Sequence, residues 1–269
     1  MAAPATRVDA SPNGAVIRAV DVTKTYPPAV PALTRVSLTV HPGEFVAVLG
    51  PSGAGKTTLF RCLTGLTRPD AGSVLVNGTD IGRVRGRALR HARHGVALIF
   101  QQFNLIRRLT AMQNVLVGRL AQAPTWRVVT RRFARADRQL ALGCLDTVGL
   151  LERAWARADR LSGGQQQRVA IARALAQEAT VILADEPVAS LDPESAATVL
   201  ESLRSVAATG VAVVASLHQV HLARAYADRI VALRAGTIVQ DAPAARIDAR
   251  TLEQIYERDG NGTDGAERR

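Results

Sequence analysis

The sequence predicts an α/β fold with a mostly parallel β-sheet, and three observations lead to this class. Short apolar runs rich in β-branched residues alternate with longer segments of helical periodicity. Most of these apolar runs are continuous, which is typical of strands buried on both faces of a parallel sheet. Residues 102–164 interrupt the alternation without a convincing strand, so they predict a helical insertion into the α/β core.

The predicted elements follow one another in a regular order. Two alternating segments near the N-terminus predict an antiparallel β subdomain, Val16–Val22 and Arg35–Val40. Compact apolar runs predict the main sheet, and they are Phe45–Leu49, Gly95–Phe100, Val181–Ala184, Val211–Leu217 and Ile230–Leu233. Helical patterns cover Lys56–Thr64, Arg87–His94, Arg131–Val148, Gln165–Ala176 and Pro193–Ala208. Asp192 as N-cap and Pro193 at the first helical position predict where the last helix begins.

The composition predicts one folded domain of a soluble protein. The chain has 269 residues, of which 47% are hydrophobic and 21% charged, which suits a packed core and excludes wholesale disorder. We expect a flexible arm over residues 1–14, a domain over 15–245 with its insertion at about 102–164, and a short C-terminal helix and flexible tail over 246–269. The apolar runs are too short to span a bilayer, and the polar N-terminus does not fit a secretory signal. Cys62 and Cys144 are expected to be buried hydrophobes in a reducing compartment.

Basic residues are in excess and are distributed unevenly. The chain has 34 Lys and Arg residues against 23 Asp and Glu, a formal net charge of +11. Between Arg83 and Arg160 there are 16 Arg and only four acidic residues. Such a surface is typical of contact with nucleic acid, anionic lipid or an acidic partner, and the alternative is a compositional preference for Arg. One segment predicts a basic helix face toward lipid or, alternatively, solvent: Arg127, Arg131, Arg132, Arg135 and Arg138.

A glycine-rich loop is the strongest local motif. The pattern G-x-x-x-x-G-K-[ST] stands between a predicted strand and a predicted helix, and its residues are Gly50, Pro51, Ser52, Gly53, Ala54, Gly55, Lys56, Thr57 and Thr58. Glycines let the backbone wrap a phosphate, and the following helix offers its positive end to the same anion. Lys56 is expected to reach the β- and γ-phosphates and Thr57 to ligate Mg²⁺. The motif therefore predicts a nucleoside triphosphate site, with a ligand-free glycine turn as the alternative.

Polar residues follow three more of the predicted buried strands. Gln101 follows one apolar run, Asp185 and Glu186 follow the next, and His218 follows a third. Because ligands bind at the carboxyl ends of parallel strands, these ends are expected to converge with the glycine-rich loop on one pocket. We expect Asp185 to hold Mg²⁺ through a water molecule, and Glu186 to polarise or deprotonate an attacking water.

Gln101 and His218 receive supporting roles in the same predicted pocket. Gln101 is expected to orient the water or touch the metal, and His218 to donate a hydrogen bond to the γ-phosphate. Taken singly, each of these residues is equally compatible with a scaffold role. The histidine pairs His91/His94 and His218/His221 have helical spacing, but no further ligands accompany them to predict a zinc site.

A second phosphate-facing segment is Leu161-Ser162-Gly163-Gly164-Gln165, at the start of a predicted helix. A serine and two glycines at a helix N-terminus form an anion cradle. Since the chain has one glycine-rich loop, this second cradle predicts a head-to-tail dimer in which each copy completes the other's site. The alternative is an ordinary capped loop.

These motifs, in this order, resemble the ATP-binding subunits of ABC transporters over about residues 15–240. The resemblance implies a P-loop NTPase core with an N-terminal antiparallel β subdomain and a helical insertion. It implies that Tyr26 stacks on adenine, that Ser162 and Gly164 contact the γ-phosphate bound to the partner subunit, and that Asp192 lies in the loop that couples the two sites. It also implies ATP and Mg²⁺ as ligands.

The finer resemblance is to the ATPases of phosphonate importers. It rests on four stretches and on Trp126, and the stretches are Ile99–Leu105, Asn114–Leu120, Glu186–Pro193 and Ser216–Val220. Gln219 stands where many ABC ATPases carry an acid after the histidine, and this looks like the subfamily's own variant. The resemblance implies a homodimeric motor at the cytoplasmic face of the inner membrane, with a transmembrane permease and an extracytoplasmic solute-binding protein as partners.

Other classes fit the sequence less well. A DNA-repair or chromosome-segregation ATPase shares the same motifs and would use the Arg excess, but it needs a long coiled coil for which this chain has no heptads. An ABC protein of translation is expected to carry two P-loops. No nucleic-acid partner is therefore expected. Within transport, another importer or an exporter of lipoproteins or peptides stays open. The segment Gln101–Leu109 is expected to pass motion to the permease through Phe103, Leu105 and Ile106, with a buried hairpin as the alternative.

Overall fold

The computed structural model describes residues 14–122 and 133–247 of the chain. The predicted arm before Gly14 and the predicted C-terminal helix and tail beyond residue 247 lie outside these ranges. So do Trp126, Arg127, Arg131 and Arg132, which leaves only Arg135 and Arg138 of the predicted basic face within the described residues.

A six-stranded sheet forms the centre of the molecule, with the strand order β10-β9-β3-β8-β7-β6. Its strands are β3 (Phe45–Leu49), β6 (Val96–Ile99), β7 (Val181–Ala184), β8 (Ala212–Ser216), β9 (Arg229–Arg234) and β10 (Thr237–Pro243). All neighbours are parallel except β9 and β10. Every residue of β3, β7 and β8 is buried, as the continuous apolar runs predict.

A second, antiparallel sheet has the order β2-β1-β4-β5. Its strands are β1 (Ile17–Tyr26), β2 (Val30–Val40), β4 (Ala71–Val76) and β5 (Thr79–Asp80). The sequence predicts β1 and β2 too short, because pairing between them continues through exposed residues as far as Tyr26 and Val30.

Three strands are absent from the sequence prediction, namely β4, β5 and β10. β4 starts with two exposed residues and β5 has only two residues. β10 is an edge strand with no fully buried residue, and it ends in proline. These strands form because a neighbouring strand supplies hydrogen-bond partners. Their own hydrophobic patterns therefore do not identify them as strands.

Seven helices lie in the part of the chain that the structure describes. They are α1 (Lys56–Leu63), α2 (Gly86–His94), α3 (Ala111–Val117), α4 (Arg135–Thr147), α5 (Gly163–Ala176), α6 (Pro193–Ala208) and α7 (Val220–Tyr226). The predicted start of α6 is confirmed, because the Asp192 carboxylate accepts a hydrogen bond from the Ser195 amide at 2.9 Å. None of the helices in the described ranges is long and apolar enough to cross a bilayer.

Two hydrophobic clusters hold these layers together on opposite faces of the central sheet. One joins the sheet to α3, α4, α5 and α6, and the other joins it to α1 and the antiparallel sheet. Cys62 and Cys144 are both free and buried, as predicted. Because β3, β6, β7 and β8 are parallel, the segments that follow them emerge at one edge of the sheet.

Candidate nucleotide-binding site

The loop between β3 and α1 has a backbone that only glycine fits well. Gly50 has φ 151° and Gly55 has φ 104°. A Cβ atom on Gly50 would lie 2.1 Å from the Leu233 carbonyl oxygen, and one on Gly55 would lie 2.4 Å from that of Ala32. Gly53, with φ 80°, instead faces open space. The loop is thus packed tightly against the protein on one side and open on the other, which is the form of a phosphate cradle.

The loop leads into the positive end of α1. Gly55 is the N-cap residue and provides no side-chain hydrogen bond, so the first-turn amides of α1 have no side-chain cap. Within the loop, the Ala54 amide donates to the Pro51 carbonyl at 3.2 Å, whereas Ser52 is exposed and Thr58 half-buried. An uncapped helix start beside an open glycine loop is suited to bind an anion.

The Lys56 ammonium group lies buried inside the loop. It donates hydrogen bonds to the carbonyl oxygens of Gly50 at 2.6 Å and Pro51 at 3.1 Å. Burial lowers the pKa of Lys56, and the negative charges of Glu186 and Asp185 partly oppose that shift. The ammonium is therefore directed toward the centre of the loop and the acids that follow β7.

The three residues predicted to bind metal line one cavity. Thr57, Gln101 and Asp185 meet around a space of about 390 Å³ beside the loop. Asp185 is the one carboxylate among the described residues that line it. A hydroxyl, an amide oxygen and a carboxylate are ligands that suit Mg²⁺, which takes oxygen donors and keeps several waters.

Glu186 and His218 form a direct contact across the ends of β7 and β8. Glu186 Oε1 lies 2.6 Å from His218 Nε2, with the carboxylate half-buried and the imidazole exposed. Glu186 also has φ 51°, a left-handed conformation that is uncommon for a residue other than glycine. The structure thus brings Glu186 and His218 together, a pairing that the sequence did not predict.

Sequence reasoning missed Ser216, which ties the two acids to β8. The buried Ser216 hydroxyl donates to Asp185 Oδ1 at 2.8 Å and accepts from the Glu186 amide at 2.7 Å. The available signal was a serine at the end of an otherwise apolar strand. Sequence reasoning also missed Asn114 and Arg173, whose side chains bond to the backbone of the segment that follows β6.

The segment that follows Gln101 is fixed by those two side chains. Arg173 donates to the carbonyls of Asn104 at 2.6 Å and Phe103 at 3.2 Å. The buried Asn114 accepts from the Ile106 amide at 2.8 Å and donates to the Ile106 carbonyl at 3.2 Å. Of the three predicted apolar docking residues in this segment only Ile106 is exposed, at 52%, since Phe103 and Leu105 are half-buried.

The second predicted cradle is the capped start of α5. Ser162 and Gln165 form a capping box, in which the Gln165 amide donates to Ser162 Oγ at 3.3 Å and the Ser162 amide donates to Gln165 Oε1 at 3.0 Å. Gly163 and Gly164 lie against Leu191 and Ser195, on either side of Asp192. The residues nearest these two glycines do not come from the loop Gly50–Thr58 of the same chain.

Tyr26 ends β1 and is half-buried. Lys24 Nζ lies 5.6 Å from the centroid of the Tyr26 ring. The Tyr26 hydroxyl is buried and has no hydrogen-bond partner in the described part of the chain. Asp192 is exposed, and the hydrogen bond from Ser195 holds the pKa of its carboxyl below the ordinary value. Across residues 14–122 and 133–247 no group of three or more His, Cys, Asp or Glu side chains is arranged to hold a metal ion.

Comparison with known protein families shows which family the chain belongs to. The family model described as "ABC transporter" matches residues 33–189. The chain belongs to the ABC transporter family. The predicted family is thereby confirmed, and this ABC chain is an ATP-binding subunit that hydrolyses ATP.

Several relatives of this ABC subunit have assigned roles in import. The phosphonates import ATP-binding protein PhnC of Thiobacillus denitrificans is 49% identical over 240 residues, which cover 89% of this chain and 92% of the relative. PhnC 3 of Nostoc is 53% identical over 234 residues, covering 86% and 88%. The hypophosphite import ATP-binding protein HtxD of Stutzerimonas stutzeri is 49% identical over 226 residues, covering 84% of this chain and 66% of HtxD.

Solved structures confirm the predicted fold class. The dimeric cassette MJ0796, in a post-hydrolysis state bound to ADP and Pi, has a TM-score of 0.73 and 34% sequence identity. That match covers 85% of this chain and 98% of the cassette. A nucleotide-free ATP-binding cassette from another ABC transporter gives a TM-score of 0.76 with 25% identity. The α/β fold with its added antiparallel sheet is that of ABC ATPase cassettes.

Proposed function

We propose that this chain is the ATP-hydrolysing motor of an importer that carries phosphonates. One observation carries the proposal. A chain whose glycine-rich loop, Asp185, Glu186 and His218 share one sheet edge is also 49% identical, over 89% of its length, to a phosphonate import ATP-binding protein. The subunit then lies at the cytoplasmic face of the inner membrane, beneath a permease, while an extracytoplasmic solute-binding protein delivers the cargo.

ATP binds along the loop between β3 and α1. The loop amides and the uncapped start of α1 surround the phosphates, and Lys56 exchanges its two carbonyl partners for β- and γ-phosphate oxygens. The side chains of Thr57 and Thr58 complete the phosphate end of the site. Tyr26 stacks on adenine at the other end.

Thr57, Gln101 and Asp185 would hold Mg²⁺, since these three residues line one cavity and carry side-chain oxygens of the kind that Mg²⁺ prefers. When bound, the ion neutralises negative charge on the β- and γ-phosphates. Ser216 fixes the Asp185 carboxylate through the hydrogen bond at 2.8 Å, so that carboxylate is oriented before nucleotide arrives.

Glu186 activates the attacking water. Its carboxylate accepts a proton from the water, and the contact with His218 sets the orientation of that carboxylate. As charge develops on the γ-phosphate, His218 exchanges its contact with Glu186 for a hydrogen bond that it donates to the γ-phosphate, and Gln101 orients the water. The strained backbone at Glu186 fits a residue held in place for catalysis.

Two copies of the chain form a head-to-tail homodimer that closes around two ATP molecules. Ser162, Gly163, Gly164 and Gln165 face the nucleotide that the partner's loop holds. The two glycines pack on Leu191 and Ser195, so a shift of the Asp192 loop moves the cradle as well. The similarity to a dimeric cassette that contains ADP and Pi supports this assembly.

The permease docks on an apolar groove in the helical insertion. The groove has a volume of about 520 Å³ and is lined by residues that include Ile106, Met112, Leu116 and Trp155. Trp155 is 71% exposed, and a side chain of this size in water is typical of an interaction surface. Ile106 belongs to the segment that begins at Gln101, so the groove and the nucleotide site share one stretch of backbone.

Growth on defined phosphorus sources tests the cargo. In a strain that lacks this gene, the wild-type chain should restore growth on methylphosphonate and the Glu186→Gln variant should not, with both strains growing on inorganic phosphate. Failure of the wild-type chain to restore that growth would contradict phosphonate import. Hypophosphite is the second candidate cargo because of the 49% identity to HtxD, and growth restored on hypophosphite alone would favour it.

A further inference from the structure

A second cavity of about 500 Å³ lies along the edge strand β6, between α2, α3 and α5. Among its described lining residues, only Leu98 also lines the cavity around Thr57 and Asp185. The two spaces are therefore neighbours that share Leu98 in their walls. The residues that line this second cavity have no part in the mechanism above.

Positive charge dominates the second cavity. Arg90, Arg93 and Arg173 line it together with His94, and its described lining contains no Asp or Glu. None of these three arginines forms an ion pair with a described residue, whereas the neighbouring Arg119 forms two. The carboxylates of Asp137 and Glu178 are paired with Arg119 instead, at 3.0 and 2.5 Å.

Two of the three guanidinium groups, those of Arg93 and Arg173, are half-buried and have no anion as partner among the described residues. Arg173 donates only to the carbonyls of Phe103 and Asn104, and burial lowers its pKa. Arg93 donates to the Gly65 carbonyl at 2.6 Å, while its Nε atom is buried with no partner. Burying part of a cation without a counter-charge is unfavourable, so an anion that enters the cavity would stabilise both of these groups.

We propose that this cavity binds a small organic anion with a PO₃ headgroup, either a phosphonate or a phosphate monoester. Guanidinium groups match such a headgroup because their fixed N–H forks bind two oxygens at once. The rest of the wall is apolar and includes Ala97, Val117 and Leu120, which suits an organic substituent. The volume lies within the range of about 300–1,000 Å³ that is usual for small-molecule sites.

Arg173 connects this anion site with the nucleotide site. It is the residue that holds Phe103 and Asn104, whose φ angles of 44° and 47° place two consecutive residues in the left-handed region. An anion that pairs with Arg173 competes with these carbonyl contacts and loosens the backbone that carries Gln101. Binding in the second cavity therefore slows ATP hydrolysis. The binding step is independent of the proposed function, whereas this effect on turnover rests on it.

The test measures binding of phenylphosphonate to the full chain by calorimetry, with saturating ADP and Mg²⁺ so that the nucleotide site is filled. Arg90→Gln removes an exposed cation of the cavity that forms no hydrogen bond or ion pair with a described residue. Arg87→Gln is the matched control, since Arg87 is exposed on the same helix but does not line the cavity. We expect Arg90→Gln to bind at least about tenfold more weakly, the range of one lost charge-assisted contact, and Arg87→Gln to bind like wild type.

Two further ligands identify the source of the anion. Phenyl phosphate presents the same headgroup on an ester, so tighter binding of phenyl phosphate assigns the site to phosphate monoesters and tighter binding of phenylphosphonate assigns it to phosphonates. Inorganic phosphate lacks the apolar part and should bind more weakly than both. Inorganic phosphate binding as tightly as phenylphosphonate would overturn the organic part of the proposal.

Two results would overturn the site itself. One is the absence of saturable phenylphosphonate binding to the ADP-loaded wild type, and the other is equal affinity of Arg90→Gln and Arg87→Gln for phenylphosphonate.

The rate of ATP hydrolysis gives the second readout. Without ligand both variants should hydrolyse ATP like wild type, and phenylphosphonate should lower kcat in wild type and Arg87→Gln but not in Arg90→Gln. Binding with unchanged kcat would overturn the coupling through Arg173, and wild type inactive without ligand would count against the proposed function instead.

Discussion

Glu186 Oε1 and His218 Nε2 lie 2.6 Å apart, although 32 positions separate the two residues in the sequence. The parallel pairing of β7 with β8 brings them together, because both residues follow strands that end at the same sheet edge. The carboxylate accepts, so the imidazole holds its proton on Nε2 and orients Glu186. The expected water-activating group and the expected γ-phosphate donor thus form one unit, and substitutions at either residue should affect the same step.

Glu186→Gln tests the general base. The amide keeps the shape of the side chain but cannot take a proton from water, so hydrolysis should fall at least about 100-fold. Nucleotide affinity should be unchanged, because phosphate binding depends on the loop and Lys56. Steady-state ATPase rates and titration with a fluorescent ATP analogue give the two readouts.

Lys56→Ala is the matched contrast for that experiment. Removing the ammonium should weaken nucleotide binding as well as turnover, which separates a binding residue from a purely catalytic one. Hydrolysis near the wild-type rate by purified Glu186→Gln protein would exclude Glu186 from its proposed role.

Ser216→Ala tests the hydrogen bonds behind the two acids. It removes the donor to Asp185 and leaves the partly buried Glu186 amide without its acceptor, at a cost of about 1 kcal/mol. We expect a lower kcat with the fold retained. We also expect half-maximal activation at a higher Mg²⁺ concentration than in wild type. Ser202→Ala is the control, because Ser202 is also buried and donates to Thr198 at 2.8 Å within α6. Equal effects of the two substitutions on kcat would mean that Ser216 contributes only to stability.

The sequence predicts the parts of this molecule whose signal is local. β3, β7 and β8 are continuous apolar runs, and the glycines at 50 and 55 are required by the loop's own backbone, so the core of the site could be located from them. β4 shows the opposite case. A Cβ on its Gly72 would lie 2.4 Å from the Val20 carbonyl, so contact with β1 determines where β4 begins.

The same distinction separates the predicted and the missed site residues. Asp185 and Gln101 stand at strand ends and could be assigned by position. Ser216 and Arg173 act through partners 30 to 70 residues away, and Asn114 through backbone groups 4 to 8 residues before it, so no short motif identifies these roles. The Glu186–His218 contact required both the strand order and the left-handed backbone at Glu186, which tertiary structure imposes.

Gly164→Ala tests the contact between the cradle and α6. The new Cβ would lie 2.9 Å from the Ser195 Cβ, so one helix must shift, at a cost of about 1–3 kcal/mol. We expect a lower Tm and loss of ATP-dependent dimerisation, the latter measured by light scattering in the Glu186→Gln background. Adding Ser195→Gly should restore Tm by removing the clash. A Tm that stays low in the double variant would show that the clash is not the cause.

The two cysteines should be inert in the native protein at pH 8. Burial raises the pKa of Cys62 to about 11 and that of Cys144 to about 12. Since the thiolate is the reactive form and both folded pKa values lie above pH 8, both thiols stay protonated and inaccessible. Intact-mass analysis after iodoacetamide treatment should show no adduct on native protein and two adducts in urea. Rapid labelling of the native protein would contradict the burial of these side chains.

Asn114→Leu tests whether the segment after Gln101 transmits motion to the permease. Asn114 is fully buried, and its amide group bonds to the backbone of Ile106, Leu109 and Thr110. Leucine has a similar volume but leaves those backbone groups unsatisfied, so the segment should lose its fixed shape while α3 keeps its packing.

This substitution should separate hydrolysis from transport. The isolated subunit should keep most of its ATPase activity, because Asn114 touches none of the residues proposed to bind nucleotide. In the reconstituted transporter, cargo should stimulate hydrolysis at least about tenfold less than in wild type, the effect of losing about 1.4 kcal/mol of coupling. Ser202→Ala is the control, since Ser202 is also buried and bonds to a backbone carbonyl, that of Thr198, but does not line the groove. If cargo stimulates ATP hydrolysis by Asn114→Leu as strongly as by wild type, the segment after Gln101 does not couple the groove to the nucleotide site.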